Sequence, residues 1–324
     1  MTMTPEQAAW FADTFGKLTA NIGKAVLGKQ DVIRLVLTAM FAEGHVLLED
    51  APGTGKTSLA RALAATVDGT SSRIQFTPDL LPSDVTGVTI WDEHARKFEF
   101  HRGPIFASIV LADEINRASP KTQSALLEVM EESKVTVDGT THEAGRPFLV
   151  IATQNPIEQA GTYKLPEAQL DRFLVKTSIG YPDLASATEI LAGSSVRNSA
   201  SRVAPIATTK AIADMADLAS TVYTDPAVLR YAAQLAEETR NAHQTLLGVS
   251  VRGALAMIRA AKVWAAAQGR NFVSPDDIKQ LALPVWQHRI VLDAEAEFGG
   301  VTAESILGNV LAEVAAPQAK ATVA

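Results

Sequence analysis

Five short runs, His45–Glu49, Arg73–Phe76, Ser108–Ala112, Phe148–Thr153 and Phe173–Ile179, are apolar with little alternation. That pattern predicts strands buried on both faces, as in a parallel sheet covered by helices. Helical stretches lie between them, among them Lys56–Thr66 and Lys121–Glu132. Ser119 followed by Pro120 supplies the second of these with an N-cap and a first-turn proline. Two segments break the rhythm and predict hairpins. One pairs Val85–Trp91 with Lys97–Phe100 around a polar tip; the other starts at Lys134–Val137 and turns at Asp138–Gly139. Both are expected as insertions on an α/β core.

After Tyr181–Pro182 the strand signals disappear and the chain becomes alanine-rich and helical. Asp225 before Pro226, and Ser274 before Pro275 with Asp277 behind, mark helix starts. Within Val251–Ala267, Leu255, Ile258 and Ala261 share one stripe beside Met257 and Trp264, a predicted core face. The expected organisation is an N-terminal helix plus α/β core over residues 1–184, an all-helical domain over 185–313, and a flexible tail over 314–324.

The 324 residues are 47% apolar and 20% charged, which excludes global disorder. With 29 Lys+Arg against 36 Asp+Glu, the net charge of −7 argues against broad duplex binding. There is no cysteine, hence no disulfide, thiol nucleophile or thiolate metal site. No run of about 18 apolar residues and no secretory leader is seen, so a soluble cytoplasmic protein without membrane insertion is expected. The six histidines are not spaced as zinc ligand pairs.

The most specific local signal is Glu49-Asp50-Ala51-Pro52-Gly53-Thr54-Gly55-Lys56-Thr57, between a predicted strand and a predicted helix. In a P-loop, small residues let backbone N–H groups wrap phosphates, lysine meets the outer phosphates, and the hydroxyl binds Mg²⁺. The helix start adds favourable polarity for the anion. Pro52, Gly53, Thr54, Gly55, Lys56, Thr57 and Ser58 are the candidate nucleotide-binding residues. Asp50 stands where the consensus has its first glycine, and a carboxylate there repels phosphate unless it points away.

Ile109–Ala112 leads into Asp113-Glu114, an apolar strand ending in two carboxylates. The first suits Mg²⁺, alongside Thr57, because that ion keeps several waters. The second suits orientation and deprotonation of an attacking water. A third strand ends at Gln154-Asn155-Pro156; Asn155, or alternatively Gln154, is placed to contact the water or the terminal phosphate at the sheet edge where ligands of open α/β sheets collect.

Taken together, Pro52–Thr57, Asp113-Glu114-Ile115-Asn116-Arg117-Ala118 and Ala152–Pro156 resemble the MoxR branch of AAA+ ATPases. Gln75–Asp84 and Leu165–Phe173 carry the likeness further, so that it spans about Gly28 to Val291. The resemblance implies an AAA+ αβα core with helix-2 and pre-sensor-1 hairpin inserts, followed by a helical lid. It also implies ATP and Mg²⁺ as cofactors. Lys56 and Thr57 correspond to Walker A, Asp113 and Glu114 to Walker B, and Asn155 to sensor 1. Arg172 corresponds to an arginine finger serving a neighbouring subunit, with an ion pair to Asp171 or Glu167 as the structural alternative. Arg252, starting a lid helix, corresponds to sensor 2 by a looser match. A guanidinium supplied in trans can raise phosphoryl-transfer rates ~10³–10⁵-fold.

The implied function is ATP-driven remodelling or maturation of partner proteins by a ring, expected to be a hexamer. A von Willebrand factor A domain protein and a client enzyme are the implied partners. The alternatives are a nucleic-acid-remodelling motor and a chelatase-type metal-insertion subunit. Arg96, Lys97 and Arg102 near Trp91, Phe98 and Phe100 form the basic-aromatic case for nucleic acid; Glu93, Glu99, Asp138 and Glu143 weaken it.

Overall fold

The computed structural model describes residues 2–51, 53–155, 163–192 and 203–317. It opens with helices α1 (Pro5–Gly23) and α2 (Gln30–Phe41), then strand β1 (Val46–Glu49) and helix α3 (Lys56–Thr66). Next come β2 (Ser71–Gln75), the short helix α4 (Pro82–Thr86) and a hairpin of β3 (Gly87–Asp92) and β4 (Lys97–Arg102). β5 (Ile109–Asp113) leads through a 3-10 turn to α5 (Pro120–Glu132), and a second hairpin follows, β6 (Lys134–Val137) and β7 (Thr140–Glu143). β8 (Leu149–Gln154), α6 (Glu167–Leu170), β9 (Val175–Thr177) and α7 (Leu184–Ala192) complete this part.

The main sheet has the order β2-β5-β8-β1-β9. The pairs β2–β5, β5–β8 and β1–β8 are parallel, as the continuous apolar runs predict. Alternate residues face opposite sides. Leu47, Val110, Ala112, Val150 and Ala152 pack with Leu126, Leu127 and Met130 of α5 in one fully covered cluster. Leu59 and Leu63 of α3 are likewise buried, and that helix contacts β2 and β5.

Both hairpins are present, with one shift. Val85 belongs to α4 and is wholly buried, so the first hairpin begins only at Gly87. There two glycines let the backbones meet: a Cβ on Gly87 would lie 2.3 Å from the His101 carbonyl, and one on Gly103 would lie 2.3 Å from that of Val85. His45 is structural. Its Nε2 donates to the Met130 carbonyl (2.9 Å) and its Nδ1 accepts from Val150 N–H (3.1 Å).

The remaining elements are α8 (Thr209–Ser220), α9 (Pro226–Asn241), β10 (Thr245–Leu247), α10 (Val251–Ala266), α11 (Pro275–Trp286), β11 (Val291–Leu292), α12 (Ala294–Phe298) and α13 (Ala303–Glu313). Asp225 caps α9 through Ala227 N–H (2.8 Å) and Ser274 caps α11 in a capping box with Asp277, as expected. This part is not wholly helical: β10 and β11 form a short antiparallel ribbon. A three-residue run such as Thr245–Leu247 is too short to show a strand period.

The predicted core stripe of α10 is also corrected. Leu255 is 63% exposed, while the buried face is Gly253, Ala256, Met257, Ala260, Ala261 and Val263. Small residues let the neighbouring helix approach the backbone, so the covered face is mostly alanine, with Met257 and Val263, and Leu255 falls outside it.

By contacts the chain forms two compact units: residues 15–173 with 177–216, and residues 1–14 with 174–176 and 217–324. The stretch after α7 groups with the sheet unit because Ile206 N–H donates to the Thr66 carbonyl (2.9 Å) and Asn21 Nδ2 donates to that of Ala204 (2.8 Å). Residues 1–14 group with the helical unit, where Met3 N–H donates to the Thr221 carbonyl (3.2 Å). Of the tail, residues 318–324 lie outside the described residues. Among the described residues, no helix is long and apolar enough to cross a membrane.

Candidate active site

β1 ends at Glu49 and α3 begins at Lys56, so residues 50–55 form the connection that the motif predicts for phosphate. Gly53 and Gly55 sit at φ +85° and +95°, where a side chain is strained. A Cβ would meet nothing within 4 Å at either, so conformation, not space, demands glycine. Among the described residues, Lys56 Nζ makes long contacts to the carbonyls of Asp50 (3.4 Å) and Ala51 (3.5 Å), which leave the ammonium easily redirected. Thr54 Oγ1 braces the loop through the Ala51 carbonyl (3.4 Å). Thr57 and Ser58 are half-buried in the first turn of α3. Pro52 lies outside the described residues.

Asp50 answers its own objection. It is 4% exposed, and its two carboxylate oxygens accept from Ile179 N–H (2.7 Å) and Gly180 N–H (2.8 Å). The charge is spent on the backbone after β9, not turned toward a phosphate.

The sheet order brings the strand ends together. Gln75 is paired with Asp113, and Glu49 with Gln154. Thr153 Oγ1 donates to Asp113 Oδ1 (2.6 Å) and accepts from Glu114 N–H (2.9 Å), so one hydroxyl fixes both acidic residues. Arg73 donates to Asp113 Oδ2 from Nη2 (2.6 Å) and Nε (3.2 Å). Glu114 lies in the left-handed region at φ +58°. Its Oε2 accepts from Gln75 Nε2 (2.8 Å) and Arg117 Nη1 (2.9 Å). Oε1 accepts no hydrogen bond from the described residues. The carboxylate is thus oriented through one oxygen, Oε2.

Gln154 Nε2 donates to Glu49 Oε1 (2.6 Å), and Asn155 lies half-buried just beyond β8 at the same edge. Arg172 follows α6. Its Nη1 donates to the Leu127 carbonyl (2.6 Å) and its Nη2 pairs with Glu131 (3.0 Å), both on α5. The ion pair is therefore with Glu131, neither Asp171 nor Glu167. Arg252 is exposed in the first turn of α10, where Ser250 caps the helix through Gly253 N–H (3.0 Å).

Arg73, Gln75 and Thr153 are partners of the acidic pair that sequence reasoning missed. Arg73 and Gln75 are two residues apart and project from the same face of β2. Only the strand order reveals that these side chains lie beside those of β5 on the same face of the sheet.

The model of the AAA family, ATPases associated with various cellular activities, matches residues 45–175, and the AAA lid domain model matches 237–310. The chain is 46% identical over 308 residues to the uncharacterized protein YeaC of Bacillus subtilis, covering 95% of this chain and 96% of YeaC. It is 38% identical over 317 residues to Chaperone MoxR1 of Mycobacterium tuberculosis, covering 95% and 84%. The chain belongs to the MoxR family of AAA+ ATPases.

A crystal structure of a Cytophaga hutchinsonii protein assigned as an ATPase superposes with a TM-score of 0.91 at 38% identity, over 97% of this chain and 98% of that one. ATP hydrolysis is accordingly the reaction of this MoxR-family chain. Its P-loop, acidic pair, Asn155 and Arg172 fall within the matched ATPase region, and Arg252 within the matched lid.

Proposed function

We propose that this MoxR-family ATPase is a chaperone-like machine that uses Mg²⁺–ATP hydrolysis in a hexameric ring to remodel partner proteins. A von Willebrand factor A domain protein and a client enzyme are its proposed partners, met in the cytoplasm. The observation carrying the hydrolytic part is the acidic pair at the end of β5, with Asp113 and Glu114 held in place by Thr153, Arg73, Gln75 and Arg117. The name of its relative Chaperone MoxR1 supports the remodelling part.

The donor set fits the cofactor. Among the described residues no cluster of three or more His, Asp or Glu forms a metal cage, and Mg²⁺ needs none: one carboxylate, a hydroxyl, water and phosphate oxygens satisfy it. Thr57 and Asp113 would hold it. When bound, it neutralises charge on the phosphates. Lys56 and the N–H groups of Gly53, Thr54 and Gly55 bind the phosphate oxygens, and Ser58 closes the first turn beside them. Glu114 Oε1 takes the proton of the attacking water, and Asn155 orients that water or the terminal phosphate. Arg172 stabilises the developing charge on a neighbouring subunit's nucleotide. Arg252 ties the lid to the nucleotide's state.

Mixing variants tests the shared site. Glu114→Gln and Arg172→Ala proteins should each be inactive, yet regain partial turnover when combined, because one intact site forms wherever a Glu114-bearing subunit meets an Arg172-bearing neighbour. Mixtures that stay inactive would refute action in trans.

A further inference from the structure

We propose that Arg73 is a built-in competitor of the divalent cation at Asp113, and so sets the Mg²⁺ concentration at which nucleotide is held. This rests on the reading of Asp113 as a Mg²⁺ ligand. Asp113 is nearly buried, with a side chain 11% exposed, and a carboxylate in that position needs partners. Oδ1 has Thr153; Oδ2 has both Nη2 and Nε of the Arg73 guanidinium. A planar cation therefore covers one oxygen of the carboxylate that is to face the metal's water shell.

Arg73 is not an immovable part of the core. Its side chain is 52% exposed. Its Nη2 also donates to Gln75 Oε1 (2.8 Å), and Gln75 in turn donates to Glu114. The guanidinium thus has a second acceptor one residue pair along β2, onto which it can shift when Asp113 turns to a metal-bound water. Two cations cannot both be fully served by one carboxylate oxygen, so the Arg73 contact subtracts from Mg²⁺ affinity. The same contact keeps the buried carboxylate paired before the metal arrives.

The test is binding of a fluorescent ADP analogue to the full chain, titrated with MgCl₂ and repeated in EDTA. Arg73→Gln should lower the half-saturating Mg²⁺ concentration by about two- to fivefold, the weight of a half-exposed arginine–carboxylate pair. Arg73→Lys, which keeps the charge but not the fork, should fall between Arg73→Gln and the native chain. Asp113→Asn should remove most of the Mg²⁺ dependence. If Asp113→Asn does so while Arg73→Gln and Arg73→Lys need as much Mg²⁺ as the native protein, or more, Arg73 is only a structural partner and the inference fails alone. If Asp113→Asn leaves the dependence intact, the assignment of Asp113 to the metal fails, and the role of Arg73 falls with it.

Discussion

Asp50 offers the sharpest discrimination between two accounts of one residue. By position it occupies the first glycine of a phosphate loop, and simple repulsion predicts that its removal tightens nucleotide binding. By structure it is a buried anchor for Ile179 and Gly180 N–H, and its removal should loosen the loop. A hydrogen bond to a charged group contributes about 1.5–3 kcal/mol. Gly180 N–H is only partly buried, so the two bonds together predict a loss of about 2–4 kcal/mol for Asp50→Ala. Asp50→Asn keeps one acceptor but sets an amide donor against the other N–H, for about half to all of that loss. Urea unfolding followed by far-UV circular dichroism measures the change, read in the transition of the sheet-bearing unit because two compact units need not unfold together. ADP affinity is measured on the same variants, and both should bind more weakly than the native chain. An Asp50→Ala protein within about 0.5 kcal/mol of native stability that also binds ADP more tightly would refute the anchor and restore repulsion.

Two further predictions concern the helical unit. Asp277 is 1% exposed and accepts from Ser274 N–H (2.7 Å), Ser274 Oγ (2.9 Å) and the two Nη atoms of Arg270 (2.8 and 2.5 Å). Asp277→Ala removes the reciprocal half of the α11 capping box and leaves Arg270 without its charge partner, so denaturant melts should show a loss of about 2–4 kcal/mol; a loss below about 1 kcal/mol would contradict that assignment. Tyr231 is buried, and burial first, then the Asp276 charge, raises its pKa above the ordinary phenol value. Ionisation therefore begins in the unfolded chain, so the native tyrosine's share of stability is intact below about pH 10 and declines as pH rises beyond it. Tyr231→Phe should flatten the alkaline fall in stability, and an unchanged slope between about pH 9 and 11 would reject the buried phenol as its source.

The parts of the molecule legible in the sequence are those whose determinants are local. The helix over Lys56–Thr66 has the predicted bounds because the loop glycines and the apolar positions behind them specify start and face within a dozen residues. The Asp225, Ser274 and Ser119 caps are equally local and equally visible. What was misread depends on partners remote in sequence. On α10 the expected stripe of Leu255, Ile258 and Ala261 beside Met257 and Trp264 is buried at Ala261 and Met257, but Leu255 lies outside, and no single-helix pattern carries that information. Asp50 shows the same limit at the site. As a letter in a motif it conflicts with phosphate; 129 residues along the chain, Ile179 supplies the donor that resolves the conflict. Arg73 and Gln75 stand further along the same scale, since a short helix, a hairpin and a 3-10 turn separate β2 from β5, and only pairing brings Gln75 opposite Asp113. A motif thus names the groups that meet the substrate, while the groups that orient them are chosen by strand order. Variants at Arg73 and Gln75 therefore probe something motif comparison alone does not reach: how the sheet sets the geometry of its own catalytic edge.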